Sequence, residues 1–222
     1  MSEVNAWTLP FPITLTFEIR DMKKPGSKGE HYLQKKFNTE KRAALFYKNQ
    51  LLNNLNPEMC GFIAKQEFVF ISTSDSNGEC DASFRSGHTG FVSVLNENML
   101  IFPEYRGNGV LASMGNISEN PHIGMVFIDF YERSIGLHVN GKAEILSQEE
   151  LEAKTDYSEK ISITLSQHGS RKPVAWIKVV VEEAYIHCSK HIPFMQKQEK
   201  IIQLGSKVDD FFNTKNRKDS EW

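Results

Sequence analysis

The spacing of apolar residues changes near residue 67, and that change divides the chain. Before it, the spacing is helical. Thr39 suits an N-cap, and Ala44, Leu45, Leu51, Leu52 and Leu55 follow it, so a helix is expected to about Asn54. Asn56 and Pro57 form a second start signal, with Pro at the position whose amide needs no partner. That short helix carries Met59, Phe62 and Ile63 and ends near Lys65. From Glu67 the pattern is extended. Phe68, Val69, Phe70 and Ile71 form an unbroken apolar run, which predicts a strand buried on both faces. Asp75-Ser76-Asn77-Gly78 is turn chemistry, and Cys80 to Arg85 is the returning strand. A second hairpin runs Phe91–Leu95 and Met99–Phe102 across Asn96-Glu97-Asn98.

A helix fits Val110 to Glu119, stopped by Asn120-Pro121. Strands follow at Ile123–Phe130 and Leu137–Leu146. Ser147-Gln148-Glu149-Glu150 is a capping box for one more helix. Pro173 to Tyr185, rich in Val and Ile, predicts the last strand. Glu199 to Asn213 has the pattern of a C-terminal amphipathic helix. At the other end, Trp7 to Ile19 is apolar but broken by Pro10 and Pro12, so an extended or edge segment is expected. Lys23 to Gly29 has the composition of a solvated loop. Five or six strands with turn-sized gaps predict an antiparallel barrel or sandwich. Strands and helices do not alternate, which argues against a doubly wound parallel sheet.

Bulk properties narrow the function classes. The chain has 222 residues and a formal net charge of −2, so no nucleic-acid signature arises from charge. Three cysteines without a short-spaced pair do not suggest a disulfide framework or a structural zinc site. No run approaches the length of a membrane span, and the N-terminus lacks a secretory pattern. A cytoplasmic protein with no nucleic-acid or membrane partner is the expectation.

Two stretches could carry chemistry. In Pro103-Glu104-Tyr105-Arg106-Gly107-Asn108-Gly109-Val110, a strand ends, a Gly-rich loop follows and a helix begins. The first amides of a helix lack internal partners and carry partial positive charge, so an anion is stabilised there. Arg106 can add a bidentate contact of the kind phosphate favours. Ser113 and Asn116 lie three apart, on one helical face. For this loop alone, a solvated turn with Arg106 as a surface charge is the simpler account. In the second stretch, Ser83 and Arg85 flank Phe84 and share one face of a strand. They need partners if that face is dry, or they form an outward polar edge. His187 and His191 are four apart, but no carboxylate or thiolate set completes a metal site. Cys188 beside Lys190 is read as a buried, inert thiol rather than an activated one.

These motifs, in this order, resemble a known family. Asn77-Gly78 leads to Asp81-Ala82-Ser83 and Arg85, then Gly90-Phe91-Val92, Arg106-Gly107-Asn108 and Asn120-Pro121. Val139-Asn140-Gly141-Lys142-Ala143 and Glu183 to Lys190, which contains His187-Cys188-Ser189-Lys190, follow. Together they resemble the FMN-binding split barrels of the pyridoxamine 5′-phosphate oxidase type, over about residues 57–195. The chain departs from the vitamin B6 oxidase itself. It lacks that enzyme's Arg and Lys five apart near Ser83–Arg85, and it reads His191-Ile192-Pro193-Phe194 in place of an Arg-rich C-terminal signature.

The resemblance implies a mainly β (β+α) protein, a six-stranded antiparallel split β-barrel with peripheral helices. It would be flanked by an N-terminal extension (1–56) and a C-terminal helix and tail (196–222). It implies a homodimer with FMN at the subunit interface and an FMN-dependent oxidoreductase acting on a small molecule. The alternative it leaves open is a non-catalytic flavin- or haem-binding module of the same fold. By carry-over, Ser83 and Arg85 would face the flavin ring and ribityl chain. Arg106, Asn108, Ser113 and Asn116 would hold the phosphate, and His187 and Lys190 would reach the ring from the partner subunit.

Overall fold

Seven strands form one antiparallel sheet in the order β2-β1-β5-β6-β7-β4-β3. The computed structural model describes residues 24–153 and 172–198. The strands are β1 (Phe68–Ser74), β2 (Cys80–Ser86), β3 (Ser93–Asn96), β4 (Met99–Tyr105), β5 (His122–Asp129), β6 (Ile135–Leu146) and β7 (Pro173–His187). Every pairing is antiparallel, as the expected split barrel requires. The sheet has seven strands where six were expected. No pairing joins β2 to β3 among the described residues, so the series stays open.

The chain divides into two compact units, Met1–Leu51 and Leu52–Trp222. The first contains α1 (Lys28–Lys36) and α2 (Glu40–Asn49). Helix α1 takes in only the last two residues of the expected loop, Lys28 and Gly29, and otherwise falls where no element was expected. Its start is a capping box, in which the Ser27 side chain accepts from the Glu30 amide and Glu30 accepts from the Ser27 amide. That Ser-x-x-Glu spacing was the signal in the sequence. Helix α2 ends at Asn49 rather than near Asn54. Leu52 instead exchanges backbone hydrogen bonds with Ala184, which pulls the chain out of the helix and onto β7.

In the second unit, α3 (Pro57–Ile63) begins as expected, with Asn56 accepting from the Met59 amide. Helix α4 (Ala112–Glu119) starts two residues later than the pattern suggested, because Leu111 takes a left-handed conformation at φ 58°. Ser147 caps α5 (Gln148–Glu152) through the expected box. The expected extended segment at Trp7–Ile19 and helix at Glu199–Asn213 lie outside the described residues.

Burial corrects one expectation directly. β1 is not buried on both faces. Val69, Ile71 and Thr73 point into the core, while Phe70 on the other face is 41% exposed. Burial on both faces falls on β4, from Leu100 to Glu104. Leu100 and Phe102 join the main core with Met125, Phe127, Ile177 and Val179. Ile101 points the other way, into a smaller cluster with Leu95, Leu146, Leu151 and Trp176. An apolar run marks a strand, but the elements packed on it decide whether one face or two are dry.

Candidate functional site

The core-facing side of β2 carries Asp81, Ser83 and Arg85. They pair in register with Thr73, Ile71 and Val69 of β1, so all six side chains share one face. None of the three polar groups is left unpartnered there. The Ser83 hydroxyl donates to Asp81 Oδ2 at 2.8 Å. Ser113, only 3% exposed in the first turn of α4, donates to the same oxygen at 3.1 Å and lies 3.2 Å from Ser83 Oγ. Arg85 Nε donates to Glu104 Oε2 at 2.8 Å. Glu104 is 8% exposed, so this is a largely desolvated ion pair. One turn along α4, Asn116 Nδ2 donates to Thr73 Oγ1 at 3.1 Å.

The loop before α4 is open. Arg106, Gly107, Asn108 and Gly109 are all exposed. Asn108 Oδ1 accepts from the Val110 amide, and Gly109 at φ 88° turns the chain toward Leu111. No side chain caps α4, so its first amides remain available beside the Arg106 loop.

The sheet's other face carries a second constellation. One row crosses five strands: Phe84, Phe70, Val126, His138 and Tyr185, each opposite the next. Phe68 stacks on Phe84 and on Phe130, with centroids 5.6 and 6.1 Å apart. Phe84 meets Phe70 edge-on, and Phe84 is 55% exposed. At the other end of the row, His138 stacks on Tyr185 at 4.7 Å, and its Nε2 lies 2.8 Å from Nδ1 of His187. Burial, and secondarily the nearby His187, hold the pKa of His138 below the ordinary histidine value. In the neighbouring row, Asn140 Nδ2 donates to Glu183.

The expected site residues therefore fall into separate groups. Ser83, Arg85, Ser113 and Asn116 are gathered on the core side of β1, β2 and α4. Arg106 and Asn108 stand at the entry to α4. His187 is on the opposite face of the sheet, and Lys190 is exposed in the 3-10 turn Ser189–His191. Cys188 is exposed as well, not buried as expected. Among the described residues, no three His, Cys, Asp or Glu side chains gather as a metal group. A cleft of about 870 Å³ lies away from the Arg106 loop. It is bounded by Phe62, Phe68, Tyr131, Ile135 and Met195, and Lys197 is paired to Glu67 at its rim.

The residues missed in the sequence are Asp81, Glu104 and His138. Extending the two-residue period back from Ser83 reaches Asp81, so that signal was present. Glu104, a charge within an apolar run, also signalled a buried partner. His138 carried no local signal, because its contact to His187 depends on the register of β6 against β7.

The model of the pyridoxamine 5′-phosphate oxidase family matches residues 55–188, more than half of the chain. No curated protein matches. Solved structures do. HupZ of Group A Streptococcus is 22% identical, over 60% of this chain and 93% of its own, with a TM-score of 0.45. A Lactobacillus delbrueckii protein described as a candidate pyridoxamine 5′-phosphate oxidase is 18% identical, over 61% and 98%, at 0.43. HutZ, a haem-storage protein of Vibrio cholerae, is 14% identical, over 60% and 94%, at 0.38. Among the described residues, no helix is long and apolar enough to cross a membrane.

Proposed function

The chain belongs to the pyridoxamine 5′-phosphate oxidase family, and we propose that it is an FMN-dependent oxidoreductase acting as a homodimer on a small molecule. The observation that carries this reading is the cluster at the start of α4. Its donors and acceptors suit the two polar parts of the cofactor differently. Exposed Arg106, Asn108 and the uncapped first amides of α4 offer positive charge and N–H donors, which suit a phosphate. Asp81, already holding the hydroxyls of Ser83 and Ser113, would repel a phosphate but can accept from ribityl hydroxyls. The residues fit FMN on that division. Arg85, bound to Glu104, keeps the adjoining strand in place. Asn116, bound to Thr73, fixes α4 against β1.

FMN, when bound, supplies hydride acceptance and donation. The chain's own groups hold and orient it and exclude water. On this reading, His187 and Lys190 complete the site from the partner subunit, since one chain places His187 on the opposite face from Ser83. The exposed rings of Phe70 and Phe84, beside the half-buried Phe68, are the surface that a second copy would cover. Free Cys60, Cys80 and Cys188 agree with a reducing, cytoplasmic setting.

Titration with FMN and riboflavin, followed by flavin fluorescence, tests the reading. The parent protein should bind FMN more tightly than riboflavin. Arg106→Ala should weaken FMN by about 10- to 100-fold, from ~1.5–3 kcal/mol for a charge-assisted contact. Riboflavin affinity should stay unchanged. Absence of flavin binding, or equal loss for both ligands, would overturn it. Reduction of the bound flavin by a nicotinamide cofactor then separates an oxidoreductase from a flavin carrier.

A second reading, a haem-binding module, has its own observation. A metal-ligating histidine usually has its second ring nitrogen held by a partner. His138 holds Nδ1 of His187 in that way, leaving Nε2 as the ligand atom. A Soret band on haem addition, lost in His187→Ala, would favour it over the flavin.

A further inference from the structure

One row beyond Phe70, Val126, His138 and Tyr185, the same face of the sheet turns polar. Ser72, Gly124, Asn140 and Glu183 lie there on β1, β5, β6 and β7, each opposite the next. A cavity of about 470 Å³ lies over this row and is also lined by His122. A volume of that size suits a small molecule. Its floor is open because Gly124 has no side chain. A Cβ there would make only ordinary contacts, 3.5 Å from Asn140 Oδ1 and 4.0 Å from Ser72 Cβ. The space therefore sits at the centre of a row whose other members are polar.

The His122 ring is held from one side. Asn120 Nδ2 donates to Ser74 Oγ at 2.9 Å and to the Asp75 carbonyl at 3.4 Å. A carbonyl only accepts, so the Asn120 amide nitrogen faces β1 and its Oδ1 faces His122. That oxygen accepts from the His122 backbone amide and lies 2.7 Å from His122 Nδ1. Nδ1 therefore carries the proton in the neutral ring, and Nε2 is left as an acceptor. Half-buried Glu183 is the other strong acceptor. Its Oε2 accepts from Asn140 Nδ2 at 3.2 Å. Among the described residues no cation is paired with it, while the adjacent Glu182 is paired with Lys142 at 3.6 Å.

These groups suit a ligand rich in N–H donors. They offer one carboxylate, one imidazole nitrogen and the Asn140 side-chain carbonyl, with acceptors in excess. They do not converge on a point, since no three His, Cys, Asp or Glu side chains gather as a metal group among the described residues. β5 and β7 stand two strand spacings apart, roughly 10 Å. A single ion reaches one end of the cavity only, whereas a linear molecule with N–H groups at both ends reaches His122 and Glu183 together. We propose that this cavity binds a small linear organic amine of the diamine class. One ammonium end donates to Glu183 and Asn140 Oδ1, the other end donates to His122 Nε2, and the carbon chain lies over Gly124. The contact to Glu183 is the stronger one, because it is charge-assisted and partly shielded from water. The inference stands apart from the flavin reading, since Ser83 lies on the other face of the sheet.

Amide 1H–15N NMR of the full chain, titrated with putrescine, tests it. Shifts should centre on Ser72, Gly124, Asn140 and Glu183 and saturate by about 10 mM, as for a Kd of ~1 mM or tighter. Butanediol of the same length carries no charge and should give no saturating shift. Glu183→Gln should weaken putrescine by about 10-fold or more, and His122→Phe by about 3- to 10-fold. Gly124→Val fills the floor without removing a polar group, so it should abolish binding and keep a folded spectrum. It also serves should Glu183→Gln not fold. No saturating shift by ~10 mM, an equal response to butanediol, or putrescine binding unchanged in Glu183→Gln or in Gly124→Val would refute the proposal. Because flavin plays no part in the readout, failure of FMN binding leaves this result interpretable.

Discussion

Gly141→Ala is expected to destabilise the protein by about 3 kcal/mol or more, near or above the upper end of the usual cost of overpacking. A Cβ at residue 141 would lie 2.0 Å from the Val180 carbonyl oxygen and 3.2 Å from the Val181 Cα. Those are backbone atoms, so no rotamer change can make room. The position is also where the β6–β7 register shifts, between Asn140 and Gly141. The bulge brings the two backbones too close for any side chain. Relief requires opening the sheet at β6 and β7, whose pairing runs from Gly136–His187 to Leu146–Trp176. Thermal unfolding should show a fall in Tm of ~6–12 °C. Gly115→Ala is the control: it lies in α4 with nothing within 4 Å of its would-be Cβ, and it should hold or raise stability. Equal melting of Gly141→Ala and the parent would mean that the close approach at the bulge is wrong.

Arg85→Met should cost about 3 kcal/mol, because it strands the Glu104 carboxylate without its cation. The pair is not fully sealed. The Arg85 side chain is 20% exposed, so solvent screens part of the loss, and the estimate sits at the lower end for buried pairs. The double variant Arg85→Met/Glu104→Met removes both charges and should recover most of the stability, since apolar replacement of a buried pair is often near neutral. Denaturant midpoints for the two singles and the double form the measurement. A double variant no more stable than Arg85→Met alone would show that the cost lies in lost packing by the arginine stem. The same series bears on the flavin reading. If Arg85 only fixes the strand, the double variant should keep its FMN affinity.

Much of the fold was legible because its signals are local. Asn56-Pro57 and the Ser147 box begin helices wherever they occur, since the cap bonds lie within one turn. The Asp75–Gly78 turn likewise carries its own hydrogen bonds, with Asp75 accepting from the amides of Asn77 and Glu79. Placement of Ser83 and Arg85 on one face followed from the two-residue period of a strand. Their partners were less legible. Asp81 lay within reach of the same period, but Glu104 is 19 residues on and becomes a neighbour only through the fold.

What the sequence determined by itself was the order of the elements, the turns between them and which side chains along each strand point the same way. Backbone geometry and short-range hydrogen bonds set those features. The tertiary structure alone decided which of the two faces is dry. It turned Phe70 outward on β1 although the local run is apolar, and it buried β4 on both sides. It also decided the meeting of His138 with His187. Register between distant strands is set by the packing of the whole sheet, and a local pattern carries no record of it.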